Sequence, residues 1–157
     1  QHDSDIALVE LKVPLELGAK VKPITVLSPE DESKLLTVGK KLTVTGWGAT
    51  TEGGAVVRDL REVPVPFVTS TTCGDDLSYG KRITGTMICA GKAEGGVDSC
   101  QGDSGGPLVD RTSNIPVGVV SWGDGCARPG KYGVYTRISK FKAWFEACTA
   151  GKQCPAW

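Results

Sequence analysis

The sequence has no net charge, no long apolar run and almost no histidine. Its 18 basic and 18 acidic side chains cancel, so no global field favours nucleic acid or an anionic membrane surface, and any ligand must be recognised by a local site. No stretch approaches the roughly 18 consecutive apolar residues of a membrane span, and no charged-then-apolar leader opens the chain. A single histidine, His2, accompanies six cysteines that contain no Cys-x-x-Cys pair, a composition that argues against a zinc site. Repeats and low-complexity tracts are absent as well. Disulfides remain as the use of the cysteines, and as a class they imply an oxidising compartment and a secreted, extracellular protein. Spacing alone selects no pairing among Cys73, Cys89, Cys100, Cys126, Cys148 and Cys154.

What is present points to β structure. The 157 residues, 39% of them hydrophobic, suit one domain with a real core. The 21 glycines, 9 prolines and short β-rich runs predict an all-β barrel or sandwich. Strands are expected near residues 42–47, 60–68, 106–110, 116–122 and 133–138. In the second of these, Val63, Val65 and Phe67 alternate with other residues, while Pro64 and Pro66 restrict the strand to an edge or a bulge. One helix is predicted from about Ser139, as N-cap, through Phe141, Trp144 and Phe145. The polar stretch 29–39 reads as a connection between two packing units. At the N-terminal side, Gln1 is an unusual first residue for a translated product, and His2-Asp3-Ser4-Asp5 runs into the strand-like Ile6-Ala7-Leu8-Val9-Glu10-Leu11, so the chain reads as beginning mid-fold.

The chemistry is concentrated in Asp98-Ser99-Cys100-Gln101-Gly102-Asp103-Ser104-Gly105-Gly106-Pro107. A serine hydroxyl attacks a carbonyl only from a tight, exposed turn whose backbone N–H groups point at the developing oxyanion, and flanking glycines permit that backbone. The same residues also make an ordinary polar turn. Further segments decide between these readings: Asp5-Ile6-Ala7-Leu8, Gly46-Trp47-Gly48, Met87-Ile88-Cys89-Ala90-Gly91, Ser121-Trp122-Gly123 and Gly133-Val134-Tyr135-Thr136. With residues 98–107 they are collinear over nearly the whole chain, which resembles the trypsin-like (chymotrypsin-fold) serine endopeptidases.

That resemblance implies an antiparallel Greek-key β-barrel, the second of two in this fold, with a C-terminal helix and a remnant of the first barrel. Residues 1–28 are then the end of the first barrel and its crossover, 29–39 the interdomain connection, 40–138 the second barrel, and 139–157 the terminal helix and tail. Ser104 is implied as nucleophile, the N–H groups of Gly102 and Ser104 as oxyanion hole, and Asp5 as the aspartate that orients a catalytic imidazole. Ser121 matches the residue that hydrogen-bonds this aspartate. Asp98 matches the base of the primary specificity pocket, where a carboxylate selects a substrate Arg or Lys. Ser99, Gln101, Ser121, Trp122, Gly123 and Gly133 match the rest of the substrate-binding set, the glycines leaving the slot open. Tyr79 matches a position near the cleft. Disulfides Cys73–Cys89 and Cys100–Cys126 are implied, each worth ~3 kcal/mol, while Cys148 and Cys154 fall outside the pattern and either pair locally or engage another segment.

The resemblance also defines departures. Its catalytic histidine lies well upstream of the aspartate, and His2, three residues before Asp5, aligns with a cleft-lining position instead. The expected partner is therefore an N-terminal chain of the same protease domain that carries the histidine, besides Arg/Lys-containing peptide or protein substrates and protein protease inhibitors; the isolated chain is expected to be inactive, with an apolar face exposed. The ammonium that pairs with the carboxylate matching Asp103 is likewise outside the sequence, which leaves that charge stranded. Tyr132 stands where digestive relatives carry proline and suggests a sodium ion nearby; no cofactor is required. The other reading is a non-catalytic homologue that acts as a binding module or inhibitor.

Overall fold

The computed structural model describes residues 2–150 and Cys154. Gln1, residues 151–153 and residues 155–157 of the expected terminal tail lie outside the described residues. Six strands, β1 (Lys41–Gly46), β2 (Arg61–Val68), β3 (Met87–Ala90), β4 (Pro107–Asp110), β5 (Ile115–Trp122) and β6 (Gly133–Arg137), close an antiparallel barrel in the order β1-β2-β3-β6-β5-β4. The crossover from β3 to β4 gives the Greek-key order. Five strands fall within a residue or so of their expected positions. β3 was read only as part of a motif, because all four of its residues are buried and a fully apolar run has no period to detect.

Alternation fills the barrel. Leu42, Val44, Val65, Ile88, Leu108, Val117, Val120 and Tyr135 form its buried core. Gly118 of β5 has no room for a side chain, since a Cβ there would stand 2.9 Å from Tyr135 Cβ. β2 satisfies its prolines by geometry: the Phe67 N–H donates to the Lys40 carbonyl at 2.8 Å, and the alternation of an antiparallel ladder then points the nitrogens of Pro64 and Pro66 away from β1. On that side the ladder with β3 covers only Phe67 and Val68, and at Pro66 the Gly91 N–H donates to the carbonyl at 2.9 Å, so neither proline is asked for the donor it lacks.

The stretch 29–39 contains a helix, α1 (Pro29–Leu35), with Ser28 as N-cap and proline at its start. Its Glu32 is 1% exposed and accepts from Arg137 Nε at 2.5 Å, tying the connection to the end of β6. A short helix α2 (Ser70–Cys73) follows β2, and α3 (Lys142–Thr149) ends the described fold. Ser139 is not an N-cap. It is buried in a 3-10 turn, Ile138–Phe141, and the N-cap of α3 is Phe141, two residues later than expected. Before α1, residues 2–28 form neither helix nor strand. The segment Ile6 to Leu11 is extended but finds no ladder partner among the described residues, and Val9, Leu11, Val13, Leu15 and Leu17 are exposed. The disulfides are Cys73–Cys89, Cys100–Cys126 and Cys148–Cys154. No helix among the described residues is long and apolar enough to cross a membrane.

Antiparallel pairing brings three loops to one end of the barrel: residues 47–60 after β1, 91–106 after β3 and 123–132 after β5. Every residue of the 98–107 motif before β4 lies there.

Replacing Arg137 by Met strands the buried Glu32 carboxylate. Unfolding free energy is expected to fall by about 3 kcal/mol, the lower end for a broken buried pair because the guanidinium reaches solvent. Replacing both residues by apolar ones is expected to restore most of the loss; urea denaturation measures both, and equal losses in the single and double variants would remove the ion pair from the account.

Candidate active site

Ser104 sits on the exposed turn that joins the β3–β4 crossover to β4. Gly102 and Gly105 flank it at φ +98° and +79°, values that a side chain would disfavour. The Gly105 N–H donates to the Val120 carbonyl and the Val120 N–H to the Gly106 carbonyl, both at 2.9 Å, so β5 fixes the downstream side of the turn. The N–H groups of Gly102 and Ser104 meet no protein acceptor among the described residues.

Asp103 holds the turn from behind. Its carboxylate accepts from the Gly48 N–H at 2.8 Å and the Cys100 N–H at 3.0 Å, so this charge, expected to be stranded, has two backbone donors. A Cβ on Gly46 would lie 2.0 Å from Asp103 Oδ1, and one on Gly48 2.4 Å from the same carboxylate; the glycines of Gly46-Trp47-Gly48 are required by this contact. Asp103 also lines a cavity of about 290 Å³ behind the turn, together with Gly46 and Gly48.

One slot of about 240 Å³ is lined by Asp98, Ser99, Gln101, Ser104, Ser121, Trp122 and Gly123. Asp98 accepts from the Ser99 N–H at 2.8 Å and the Ala127 N–H at 3.0 Å. Burial pushes its carboxyl up to about 6, against the pull of those two N–H groups and the Ser99 hydroxyl. Gly133 is next to it: a Cβ there would lie 2.4 Å from Asp98 Oδ1 and 2.8 Å from the Tyr135 hydroxyl. The Gln101 side chain turns toward the neighbouring loop, its Oε1 accepting from the Gly53 N–H at 3.3 Å.

Three cross-links hold the walls of the slot. Cys100–Cys126 joins the crossover to the 123–132 loop. Glu52 receives a forked contact from Arg128 and the Cys126 N–H at 3.1 Å, tying in the 47–60 loop. The Tyr79 hydroxyl donates to the Tyr132 carbonyl at 2.7 Å and accepts from the Asp124 N–H at 3.2 Å, and its ring meets Trp122 edge-on at 4.8 Å. Tyr132 is thereby buried as part of the wall.

Asp5 and Ser104 both line a larger cleft of about 960 Å³, together with Ser121 and His2. Asp5 Oδ2 accepts from the Ser121 hydroxyl at 2.6 Å, and the Asp5 carbonyl accepts from the Thr136 hydroxyl at 2.7 Å. The structure thus groups Asp98, Ser99, Gln101, Ser104, Ser121, Trp122 and Gly123 around one slot, puts Gly133 against Asp98, and brings Asp5 to the cleft that Ser104 and Ser121 also line. Tyr135 was missed. Its buried hydroxyl makes no well-formed hydrogen bond among the described residues, and burial, then the Asp98 charge, push its titration upward against the pull of the Ser99 side chain. Period two along β6 carried the signal, since Gly133 and Tyr135 share a face. Thr136, Ala127, Glu52 and Arg128 had no such signal, being joined to the site across the sequence.

The Trypsin family profile matches residues 1–145. The chain is 47% identical over 148 residues to "Trypsin-1" of Astacus astacus, covering 92% of this chain and 60% of that protein. It is 45% identical over 145 residues to "Trypsin eta" of Drosophila erecta, covering 92% and 54% respectively. Human "Serine protease 56" is 43% identical over 148 residues, 91% of this chain and 24% of that protein. The chain therefore spans between a quarter and three-fifths of the length of these relatives.

A carboxyl raised to about 6 from its usual 3.8 makes the ionised group a cost to folding, absent below pH 4 and full above pH 6. Asp98→Asn is expected to stabilise the fold by about 2 kcal/mol at pH 8, with the gain vanishing as pH falls toward 4. Denaturation at the two pH values measures this; a gain that persists at pH 4 would assign it to something other than the charge.

Proposed function

Because the chain belongs to the trypsin-like serine proteases, we propose that it is the nucleophile-bearing portion of an endopeptidase that hydrolyses peptide bonds after Arg or Lys. The observation that carries this reading is one slot lined by both Ser104 and the half-buried carboxylate of Asp98, whose titration burial raises to about 6. A substrate guanidinium or ammonium entering the slot pairs with Asp98 in a largely desolvated setting, whereas a neutral side chain leaves the carboxylate uncompensated.

In the proposed reaction the Ser104 hydroxyl attacks the carbonyl carbon that follows the bound Arg or Lys. Its proton passes to an imidazole supplied by a segment outside this sequence, which would enter the cleft between Asp5 and Ser104. Asp5, with Oδ2 already engaged by Ser121, holds that imidazole with its other oxygen and stabilises the imidazolium. The oxyanion takes the N–H groups of Gly102 and Ser104. Collapse expels the amine, which receives the proton, and leaves an acyl-enzyme on Ser104 that water hydrolyses by the same route. Asp103 is the acceptor for the ammonium of an activated N-terminus, reaching it through the cavity behind the turn. The three disulfides support secretion.

In a full-length protein that includes the histidine, a serine-directed phosphonate is expected to label Ser104, and an amidine competitor to suppress the labelling. Absence of labelling in that assembly would favour the non-catalytic reading. Asp98→Ser is expected to lower kcat/KM on Arg and Lys substrates by about a thousandfold, as loss of a desolvated charge partner of roughly 4 kcal/mol implies. Unchanged Arg/Lys preference in a cleavage profile would show that the slot does not select the cation.

A further inference from the structure

The segment that carries Asp5 belongs to no helix or strand, and among the described residues only three attachments bond it to the barrel. Two are made by Asp5 itself, to the hydroxyls of Ser121 and Thr136. The third is made by Asp3: its Oδ1 accepts from the Thr84 hydroxyl at 2.6 Å and from the Thr86 hydroxyl. Thr86 is itself fixed, because the Arg137 N–H donates to its carbonyl at 2.8 Å and extends the β3–β6 ladder. Between the anchored aspartates, Ser4 stands at φ +56°, a left-handed conformation that a serine holds only where its surroundings impose it. The Ile6 N–H then closes back on the Ser4 carbonyl at 2.9 Å.

We infer that Asp3 is a positioning residue for catalysis: its carboxylate, clamped by Thr84 and Thr86, holds Ser4 in the left-handed turn that aims Asp5 into the cleft. Asp3 touches neither substrate nor reacting atoms. Without the clamp, Ser4 relaxes toward an ordinary φ, and because it immediately precedes Asp5 the rotation swings the carboxylate off its line. The Ser121 and Thr136 bonds act on Asp5 from the barrel side and do not fix the residue before it. The Thr84 and Thr86 hydroxyl oxygens lie 2.9 Å apart, close enough for both to aim their single protons at the same carboxylate oxygen of Asp3. Hydrogen bonds from both threonines hold the Asp3 carboxyl below its usual range, so it remains ionised, and the bonds charge-assisted, throughout the neutral range.

The inference rests on the reading of Ser104 as nucleophile, and its test separates the two. In the full-length protease, Asp3→Asn is expected to lower kcat about tenfold, as a small misplacement of a catalytic group does, with KM within about twofold and the affinity of an amidine for the Asp98 slot unchanged. Adding Ser4→Gly to Asp3→Asn is expected to recover most of the lost kcat, because glycine takes positive φ without strain. A merely structural role would move amidine affinity together with kcat and would gain nothing from the glycine. In the same protein the Ile6 amide is expected to exchange with solvent several-fold faster in Asp3→Asn than in the parent. A kcat within twofold of the parent, a loss that Ser4→Gly fails to recover, or unchanged Ile6 exchange overturns the inference. A full-length parent that neither labels nor cleaves overturns the proposed function instead, and the Ile6 exchange rate then decides the role of Asp3 by itself.

Discussion

The arrangement at the end of the barrel depends on one buried contact, the Asp103 carboxylate against the backbone of residues 46–48. An acid at this point accepts the Gly48 and Cys100 N–H groups at once, so it fastens the 47–60 loop to the turn that presents Ser104. The contact leaves no space: Cβ atoms at either Gly46 or Gly48 would overlap the carboxylate. Gly102 is squeezed from the same side, where a Cβ would lie 2.8 Å from Val56 Cγ1 and 3.1 Å from Gly48 Cα. Its positive φ is thus a consequence of loop–loop packing.

The slot beside that turn is held under electrostatic tension. Asp98 is stabilised by two backbone N–H groups, yet burial still dominates and raises its carboxyl to about 6. A carboxylate with unspent demand for a partner attracts a cation more strongly than one fully satisfied by the protein. The structure keeps that demand unmet by exclusion. Gly133 cannot carry a side chain into the space, the Tyr135 hydroxyl makes no well-formed hydrogen bond among the described residues, and the Arg128 guanidinium is engaged by Glu52. The disulfide Cys100–Cys126 and the Tyr79 hydrogen bonds keep the walls from closing on the carboxylate.

How far the sequence revealed this depended on the kind of signal. Strands with mixed faces were legible from alternation, and Pro64 and Pro66 limited how β2 could pair. β3 was legible only as a motif, because an uninterrupted buried run has no face to distinguish. Ser139 misled: a polar residue ahead of Phe141 suggests a cap, but here it is buried in a 3-10 turn. The helix α1 was announced by Ser28 and Pro29, a capping serine and a proline at N1, and was overlooked because its acidic run reads as a solvated connection; nothing local discloses that Glu32 meets Arg137 105 residues away. At the site, Ser104, Gly102 and Asp98 were legible because one continuous motif holds them. Tyr135 was legible only through its shared face with Gly133 on β6, and Thr84 and Thr86, which receive the N-terminal segment, were not legible, since their partners are set by barrel closure.

Barrel closure also explains why the candidate site has one firm half and one dependent half. Ser104 and Asp98 stand on loops whose ends are fixed by strands, a disulfide and backbone hydrogen bonds, so their relative geometry is built into the second barrel. Asp5 arrives on a segment that contributes no strand and exposes Val9, Leu11, Val13, Leu15 and Leu17. Apolar side chains spaced along an extended chain stabilise it only when something covers them, and no described residue does. The geometry of Asp5 is therefore transmitted by a few polar bonds at its root, Asp3 to Thr84 and Thr86, and Asp5 to Ser121 and Thr136. Exposed hydrogen bonds of this kind contribute about 1 kcal/mol each, too little to stabilise a fold but enough to choose between two orientations of a short turn. Those bonds hold Asp5 in the cleft that Ser104 also lines.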